Sequence, residues 1–380
     1  MEQAQTGRGA RNKRRNKTIV LTGGGSAGHV IPNLLLLPDL LADGWDVHYI
    51  GSPGGLESSL VRGRGATFHT VTTGKLRRYF DIKNFSDPFR VIAGVVQSAF
   101  LLARLHPAVI FSKGGFVAVP VVFGGRLLGI PSVIHESDRT QGLANKICAP
   151  FSKKICLSFM GTFDSLPESS QKKAVYTGAP VRPELSAGDA AEGLRICGFD
   201  GSKPMLLAIG GSQGSESINR IIRSALPELL KSWHVAHICG KGHTDGSLTR
   251  LKGYAQFEFA GEELAHLYKA CRAAVSRAGS NTIFELLNMA IPSILIPLPI
   301  ETSRGDQILN ATEFERSGYC IKLNEKDAQS AGALTGELDK LETGRDAYIK
   351  SMLGANLPDS KKLILDIIYQ TADCVNGELN

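Results

Sequence analysis

The sequence predicts an α/β protein with two doubly wound domains, each built on a parallel sheet. Short apolar runs typical of buried strands alternate with helix-like segments through most of the 380 residues, which favours right-handed βαβ units. Glycine-rich turns directly follow several of the strand-like runs. The pattern restarts at residues 205–209, after a proline- and glycine-containing segment at 175–183 that we interpret as a hinge. The chain is long enough for two domains.

Composition indicates a globular protein and does not favour a nucleic-acid-binding one. Hydrophobic residues make up 43% of the chain and charged residues 21%. The net charge is +7, but six basic residues and one acidic residue fall within the first 17 positions. We therefore predict a basic disordered arm over residues 1–17, with attraction to an anionic membrane as the weaker alternative. We expect no nucleic-acid partner.

No segment predicts a signal peptide or a transmembrane helix. The apolar run after the basic arm is short, and glycines interrupt it at once. The longest apolar candidate, residues 91–105, contains Gln97, Ser98 and Arg104. The seven cysteines are dispersed without a CxxC pair, which predicts reduced thiols in the cytoplasm rather than disulfides or a zinc site.

The first glycine-rich turn is the strongest functional signal. The run GGGSAGH at residues 23–29 follows a strand-like run and precedes a leucine-rich helix-like segment. Glycines let the backbone approach an anion closely, and the amides at a helix start point at it, so the turn predicts a phosphate-type site. His29 could accept a proton beside the bound anion. The alternative is a loop histidine without chemistry.

Two further loops are expected at the same edge of the first sheet. The strand-like run 108–111 leads into SKGGF at 112–116, and the run 131–134 leads into HESD at 135–138. Because the carboxyl ends of parallel strands share one edge, we expect the three loops to share one cleft. The HESD residues are sequential in a loop and do not form an i, i+4 helical pair, so we predict no metal site.

A loop after the third predicted strand mixes basic and bulky apolar side chains. It contains Lys75, Leu76, Arg77, Arg78, Tyr79 and Phe80. Two interpretations stay open. One is an ordinary surface loop; the other is a membrane patch, in which apolar groups enter an anionic bilayer while Lys and Arg meet the lipid headgroups.

The second half repeats the order of strand, glycine turn and helix. IGGSQGS at 209–215 precedes a helix expected from Ile218, and RAGSNTIFEL at 277–286 opens another helix that Ser280 or Asn281 could cap. Glu285 could accept hydrogen bonds from two ribose hydroxyls, with helix-start electrostatics as the alternative. No Walker A or protein-kinase signature occurs. Two facing Rossmann-like domains suit a nucleotide-sugar donor on one side and an acceptor on the other.

Stabilisation of a departing diphosphate needs no metal in such an arrangement. Helix N-termini and backbone amides can carry that charge. The glycine turns at 210–215 and 279–282 supply such helix starts, and Arg182 at the hinge adds a positive charge. We therefore predict a metal-independent glycosyl transfer.

Seven motifs occur in order from about residue 19 to residue 311, and together they resemble the MurG family, the peptidoglycan UDP-N-acetylglucosamine transferases of GT-B fold. The motifs are GGGSAGHVIP, SKGGFVAVP, HESDRTQGLANK, TGAPVRPEL, IGGSQGS, SRAGSNTIFELL and SRGDQILNA. Any one glycine loop alone would be a weak signal, whereas the combination is specific.

The resemblance implies transfer of N-acetylglucosamine from its UDP donor to the C4 hydroxyl of the muramoyl sugar in lipid I, which gives lipid II with inversion and without a cofactor. It implies that His29 is the base. The implied donor contacts are Ser26, Ala27, Gly28, Asp138, Arg182, Ser212, Ser280, Asn281, Thr282, Ile283, Phe284, Glu285 and Gln307. The implied contacts to the acceptor's diphosphate are Gly114 and Gly115, with His135 and Glu136 beside them. A backbone contact to uracil is expected near Phe259 or Ala260.

Three positions depart from the family's pattern. Ala27 replaces a common glycine and is tolerable only at negative φ. Asp138 stands where many members have Asn, and an ionised carboxylate accepts but cannot donate a hydrogen bond. Ala179 replaces a frequent polar residue at the hinge.

We predict the arm at 1–17, an acceptor- and membrane-facing domain at 18–180, a donor domain at 181–357 and a helix at 358–380 that returns to the first domain. The expected partners are UDP-N-acetylglucosamine, undecaprenyl-linked lipid I, the anionic surface of the cell membrane on its cytoplasmic face, and other cell-wall synthesis proteins. Three rival functions stay open: a nucleotide-sugar 2-epimerase, a diacylglycerol-directed GT-B transferase, and a non-catalytic nucleotide-sugar-binding protein.

Overall fold

Two parallel β-sheets organise the molecule. A computed structural model describes residues 17–74, 87–211, 214–330 and 332–378. In both sheets the strands alternate with helices along the chain, as the apolar runs and glycine turns predict. Residues 1–16 of the basic arm, the patch Lys75–Phe80 and Ser212 lie outside the described residues, whereas Lys17 is described.

The first sheet has seven strands in the order β3-β2-β1-β4-β5-β6-β7. The strands are β1 Thr18–Thr22, β2 Asp46–Gly51, β3 Thr67–Thr70, β4 Val109–Ser112, β5 Ser132–Glu136, β6 Lys154–Leu157 and β7 Ala174–Tyr176. Ile19 of β1 pairs with Val47 on one side and Val109 on the other. The strand order therefore reverses between β1 and β4, and ligands of such sheets bind beyond the carboxyl ends of the strands at this reversal.

In the described residues, six α-helices connect the strands of the first sheet. They are α1 Ala27–Ala42, α2 Leu56–Val61, α3 Asp87–Leu105, α4 Ala118–Leu127, α5 Leu143–Cys148 and α6 Glu168–Gln171. In α1 the buried Val30, Leu36, Leu37 and Leu40 face the sheet at helical spacing.

The second sheet has six strands in the order β10-β9-β8-β11-β12-β13. The strands are β8 Met205–Ile209, β9 His234–Ile238, β10 Tyr254–Phe257, β11 Cys271–Ser276, β12 Ser293–Leu295 and β13 Cys320–Lys322. The helices are α7 Ala190–Cys197, α8 Glu216–Ser232, α9 Glu263–Ala270, α10 Ser280–Asn288, α11 Asp306–Arg316, α12 Glu325–Ala328, α13 Ala333–Thr343 and α14 Arg345–Leu353. Its strand order reverses between β8 and β11, below the second pair of glycine turns.

The last helix, α15 Ser360–Glu378, packs against the first sheet. Its Ile364 and Ile368 are fully buried in one apolar cluster with Ile19 and Leu21 of β1. Tyr369 stacks on Trp45 at 5.5 Å between ring centroids. The domain limits 180/181 and 357/358 stay predictions. Within the described part of the chain, no helix combines the length and the apolar character needed to cross a bilayer.

Three local predictions are wrong at the element level. The segment 174–176, which we assigned in part to the hinge, forms edge strand β7. Neither Ser280 nor Asn281 caps α10, because the cap residue is Gly279 and Ser280 is already helical. Helix α8 begins at Glu216, two residues before the expected start.

Candidate active site

The first glycine turn is shaped by close contacts that only glycine allows. A Cβ at Gly23 would lie 2.4 Å from the carbonyl oxygen of His29, and Gly25 has φ +87°. Beneath the turn, the fully buried Glu57 accepts the amide of Ser52 at 2.8 Å and that of Gly25 at 3.4 Å. The turn is therefore held in place from below. Ser26, Ala27 and Gly28 open α1 at its rim.

Ala27 meets the backbone condition that its replacement of glycine requires. It is the first helical residue of α1, and the non-glycine residues with positive φ in the described chain are His106 and Ala290. Ala27 is therefore in ordinary helical backbone, and the alanine causes no strain there.

His29 lies in the first turn of α1 and points to the end of β4. Its Nδ1 is 3.1 Å from the carbonyl oxygen of Lys113. A carbonyl only accepts hydrogen bonds, so Nδ1 carries the proton and Nε2 keeps its lone pair. Burial, and then the charge of Lys113, lower the pKa of His29 to about 4. The ring is therefore neutral at pH 7 and can accept a proton at Nε2.

The second glycine turn packs directly against the first. Gly114 and Gly115 follow β4 with φ of +91° and +80°. A Cβ at Gly115 would lie 2.2 Å from the carbonyl oxygen of Gly24. Phe116 covers Gly25, where an added Cβ would lie 2.6 Å from its ring. The two turns thus form one surface beside His29.

His135 and Glu136 end strand β5 and are buried within the protein. The His135 ring bridges Lys113 and Ser158. Glu136 accepts the amides of three following residues and the side-chain amide of Asn145 at 2.9 Å. These side chains therefore hold the loop from inside. The assignment of His135 and Glu136, and of Gly114 and Gly115, to the acceptor's diphosphate stays a prediction.

The predicted nucleoside segment opens α10 in the second domain. Ser280, Asn281 and Thr282 are partly exposed at the helix start, whereas Ile283 and Phe284 point into the core with exposures of 1% and 3%. Only the backbone of these last two residues can meet a ligand. Gln307 at the start of α11 accepts the amide of Leu298 at 3.1 Å.

Arg182 and Glu285, which we assigned to different parts of the donor, form a bidentate pair. The guanidinium donates to the two carboxylate oxygens at 2.9 and 3.0 Å, and Tyr268 donates to one of them at 3.1 Å. Burial raises the pKa of Glu285, and Arg182 opposes this. Both carboxylate oxygens are engaged, so ribose hydroxyls would have to share or displace these partners.

Asp138 contacts the second domain. It accepts a hydrogen bond from Asn310 at 3.0 Å, and Arg304 lies 3.5 Å away. Asn310 also accepts the amide of Arg139 at 2.8 Å. Burial and then the charge of Glu136 raise the pKa of Asp138 to about 6. The carboxyl ends of the two sheets therefore face each other here, with His29 close enough to Arg304 and Asp306 for their charges to affect its pKa.

Comparison with known proteins identifies the family of this chain. Residues 19–157 match the glycosyltransferase family 28 N-terminal domain and residues 205–365 match the C-terminal domain. The UDP-N-acetylglucosamine–N-acetylmuramyl-(pentapeptide) pyrophosphoryl-undecaprenol N-acetylglucosamine transferase of Geobacillus kaustophilus is 51% identical over 94% of this chain and 99% of its own. The transferase of the same name from Clostridium kluyveri is 47% identical over 93% and 99%. The chain belongs to the MurG family.

Solved structures confirm the GT-B fold of this MurG-family chain. The crystal structure of Acinetobacter baumannii MurG superposes with a TM-score of 0.73 at 22% identity, covering 93% of this chain and 99% of that one. The glycosyltransferase of kitacinnamycin has a TM-score of 0.69 at 17% identity, covering 94% and 100%. The predicted fold and the family resemblance are both confirmed.

Sequence reasoning missed three groups that shape the site of this MurG-family member. Lys113 lies inside a recognised motif but was not singled out. Asn310 joins the two domains, and Arg277 donates to the cap residue of α8, Ser215, at 3.1 Å. Arg277 also pairs with Glu325 at 2.6 Å. Lys113, Asn310 and Arg277 all lie within the sequence motifs. Their partners are remote in sequence, so only the fold identifies their roles.

Proposed function

We propose that this chain transfers N-acetylglucosamine from UDP-N-acetylglucosamine to the C4 hydroxyl of the muramoyl sugar in lipid I, giving lipid II with inversion. The observation that carries the proposal is the imidazole of His29, fixed with a free Nε2 where two glycine turns and the opposite domain meet. The names of its relatives, at up to 51% identity, state the same transfer.

The donor is proposed to bind mainly to the second domain. Its nucleoside would lie at the partly exposed start of α10, and its diphosphate at the start of α8 and α10, where backbone amides and the helix dipoles favour negative charge. Arg182 and Glu285 are close enough to each other to serve neighbouring parts of one ligand. Asp138 and Gln307 would contact the sugar end of the donor from the two sides of the cleft.

The acceptor is proposed to bind against the first domain. A cavity of about 440 Å³ adjoins the glycine turns, and Gly25 and Phe116 form part of its wall. Ser52, Thr72, Thr73 and Arg90 supply hydroxyl groups and one positive charge on the other sides. With Gly114 and Gly115 nearby, this lining suits a diphosphate joined to a sugar.

The chemistry then follows from the placement of His29. The C4 hydroxyl oxygen attacks the anomeric carbon of N-acetylglucosamine while Nε2 of His29 takes the hydroxyl proton. The bond from the anomeric carbon to the diphosphate oxygen breaks, and UDP leaves with the electron pair. Attack opposite to the leaving group inverts the anomeric centre. Helix-start amides stabilise the charge that develops on UDP.

An acceptor screen with labelled UDP-N-acetylglucosamine tests the proposal. We expect label in a lipid-linked disaccharide only when lipid I is supplied. Label on diacylglycerol would favour the rival transferase, and an epimer or free UDP from the donor alone would favour the 2-epimerase. Donor binding without product from any acceptor would indicate a binding protein. The similar proteins named above are transferases, which disfavours the 2-epimerase and the binding protein, and their names carry a pyrophosphoryl-undecaprenol acceptor, which disfavours the diacylglycerol-directed transferase.

We propose that the enzyme works on the cytoplasmic face of the cell membrane through its first domain. Helix α3 carries exposed Phe89, Ile92, Val96 and Phe100, which are spaced to form one stripe along the helix. The stripe follows the basic and aromatic patch at 75–80 in sequence, and together they suit an anionic bilayer.

Vesicle flotation separates the contributions of these two segments. Charge reversal of Arg77 and Arg78 is expected to weaken binding to anionic vesicles and to reduce its salt dependence. The Phe100→Ser variant is expected to weaken binding to anionic and neutral vesicles alike. Unchanged vesicle binding in both variants would refute the membrane assignment without affecting the transfer reaction. Other cell-wall synthesis proteins stay proposed partners.

A further inference from the structure

We propose that Lys113 is a positioning residue for the transfer: its carbonyl orients His29, and its buried ammonium holds the end of β4 and keeps a positive charge next to that imidazole. The inference rests on the proposed function, in which His29 removes the acceptor's proton. It assigns a role to a side chain that touches neither proposed substrate.

The contacts of Lys113 lie entirely inside the first domain. The residue is 1% exposed. Its Nζ lies 2.6 Å from Nδ1 of His135 and also donates to the Ser137 hydroxyl. Its carbonyl oxygen accepts the Nδ1 proton of His29 at 3.1 Å. One residue thus links the catalytic histidine on α1 to the end of β5.

The hydrogen-bond pattern fixes the protonation of both histidines around Lys113. While Lys113 is protonated its ammonium only donates, so Nδ1 of His135 accepts, and the His135 proton lies on Nε2, facing the Ser158 hydroxyl at 3.0 Å. His135 is therefore neutral. Burial and the nearby ammonium both lower its pKa well below the ordinary value.

No carboxylate of the described residues lies within ion-pair distance of the Lys113 ammonium. Burial lowers the pKa of Lys113 to about 7, while Glu136, Asp138 and Cys156 act in the opposite direction. Glu136 already accepts three amides. The positive charge is thus only partly compensated, and it is close enough to His29 to act on that imidazole.

The charge of Lys113 affects the protonation of His29, the proposed base. His29 is surrounded by the charges of Lys113 and Arg304, which disfavour its protonated form, and of Asp306, which favours it. Burial lowers the pKa of His29 most, and the charge of Lys113 is the next largest cause that lowers it. A fixed tautomer and a neutral ring are what a base needs before the acceptor arrives.

Two substitutions separate the charge of Lys113 from its anchoring contact. Lys113→Met removes both the charge and the hydrogen bonds. Lys113→Gln removes the charge but keeps a donor for His135. Lys153→Met is the matched control, because Lys153 is an exposed lysine of the same domain. The midpoint of His29 protonation is followed by NMR on ¹³C-histidine-labelled protein, with the resonance assigned through His29→Gln.

We expect the His29 midpoint to move to higher pH in both Lys113 variants and to stay in place in Lys153→Met. The kcat of Lys113→Met should fall roughly tenfold or more, with the KM for UDP-N-acetylglucosamine little changed, because the base is displaced and the donor contacts are not. Lys113→Gln should retain more of the activity.

An unchanged midpoint in both variants, with only a lower melting temperature, would mean that Lys113 merely stabilises the fold, and would overturn the proposal. The titration needs no turnover. Failure of the unmodified protein to transfer sugar to lipid I would therefore count against the proposed function, and would leave the Lys113–His29 coupling as a separate result.

Discussion

His29 shows at the residue scale how a backbone carbonyl can prepare a side chain for catalysis. The Lys113 carbonyl accepts the Nδ1 proton, which leaves Nε2 as the only basic atom of the ring. Because the His29 pKa is about 4, its neutral form is already complete at neutral pH. The remaining requirement is an acceptor hydroxyl within hydrogen-bond distance of Nε2.

Removal of the imidazole should therefore affect turnover far more than donor binding. For His29→Ala we expect kcat to fall by about 10²–10⁴-fold, while UDP affinity measured by calorimetry stays within about twofold. His243→Ala, which changes an exposed histidine of the second domain, is the control and should behave as wild type. Turnover of His29→Ala close to that of wild type would exclude His29 as the base.

The sequence predicts His29 because its signal is local, whereas the partners of other site residues are distant in the chain. A glycine turn between a strand and a helix is visible in seven consecutive letters. The pairing of Arg182 with Glu285 spans 103 positions, and that of Arg139 with Asn310 spans 171. Burial of His135 likewise depends on β6 and β4 lying beside β5. Such contacts follow from topology, which composition and spacing do not specify.

The two glycine turns act together at the element scale because each limits the space of the other. Gly115 lies against the carbonyl oxygen of Gly24, and Phe116 covers Gly25. The turns end adjacent strands β1 and β4, whose register pairs Thr22 with Ser112. A change in one turn is therefore expected to move the other, and with it the start of α1 that carries His29.

A pair of alanine substitutions measures this coupling. Both Gly115 and Gly129 have positive φ, so alanine costs about 1–2 kcal/mol of backbone strain at each. Nothing lies within 4 Å of a Cβ at Gly129, whereas one at Gly115 would lie 2.2 Å from Gly24. Urea unfolding should show a further loss of about 1–3 kcal/mol for Gly115→Ala, and only this variant should lose transferase activity. Equal losses in both variants would argue against the coupling.

Strands of four or five residues are predicted from the sequence more closely than shorter ones. Strands β8 and β4 lie within one residue of the runs expected at 205–209 and 108–111. The three-residue strands β7 and β13 offer too few residues for a period to be read, and they form because a neighbouring strand pairs with them. The start of α10 was misplaced because Gly279 provides the cap without a side chain.

Contacts between the domains decide the arrangement of the whole molecule. Asn310 on α11 accepts a hydrogen bond from the backbone amide of Arg139 and donates one to Asp138. Arg139 also forms an ion pair with Glu313, which lies on α11 as well. Asp138 is ionisable, so this chain places a titratable group at the junction. The interdomain contact should therefore respond to pH.

The sign of that response follows from the pKa of Asp138, which the fold raises from 3.8 to about 6. The folded state then binds the proton more tightly than the unfolded state. The stability associated with this proton is present at pH 4, decreases as the pH rises to about 6, and stays lost above that pH. Asn at this position cannot ionise and keeps an acceptor for Asn310. Asp138→Asn should therefore be more stable than wild type at pH 7.5 by on the order of 1 kcal/mol, and nearly equal to it at pH 4. The Asp138→Asn variant also loses the contact with Arg304. This loss offsets only a small part of the gain in stability, because an ion pair 3.5 Å apart at a partly exposed site contributes little to the free energy of unfolding.

Melting temperatures recorded from pH 4 to pH 8 test this expectation. The wild-type and Asp138→Asn curves should separate as the pH rises through about 4 to 6. Asp306→Asn serves as the control, because it removes the other carboxylate on Arg304 and leaves Asn310 untouched; it should not raise the melting temperature at pH 7.5. Parallel curves for wild type and Asp138→Asn would show that Asp138 ionises at its ordinary pH. The stability of the junction would then not depend on the ionisation of Asp138 in this pH range.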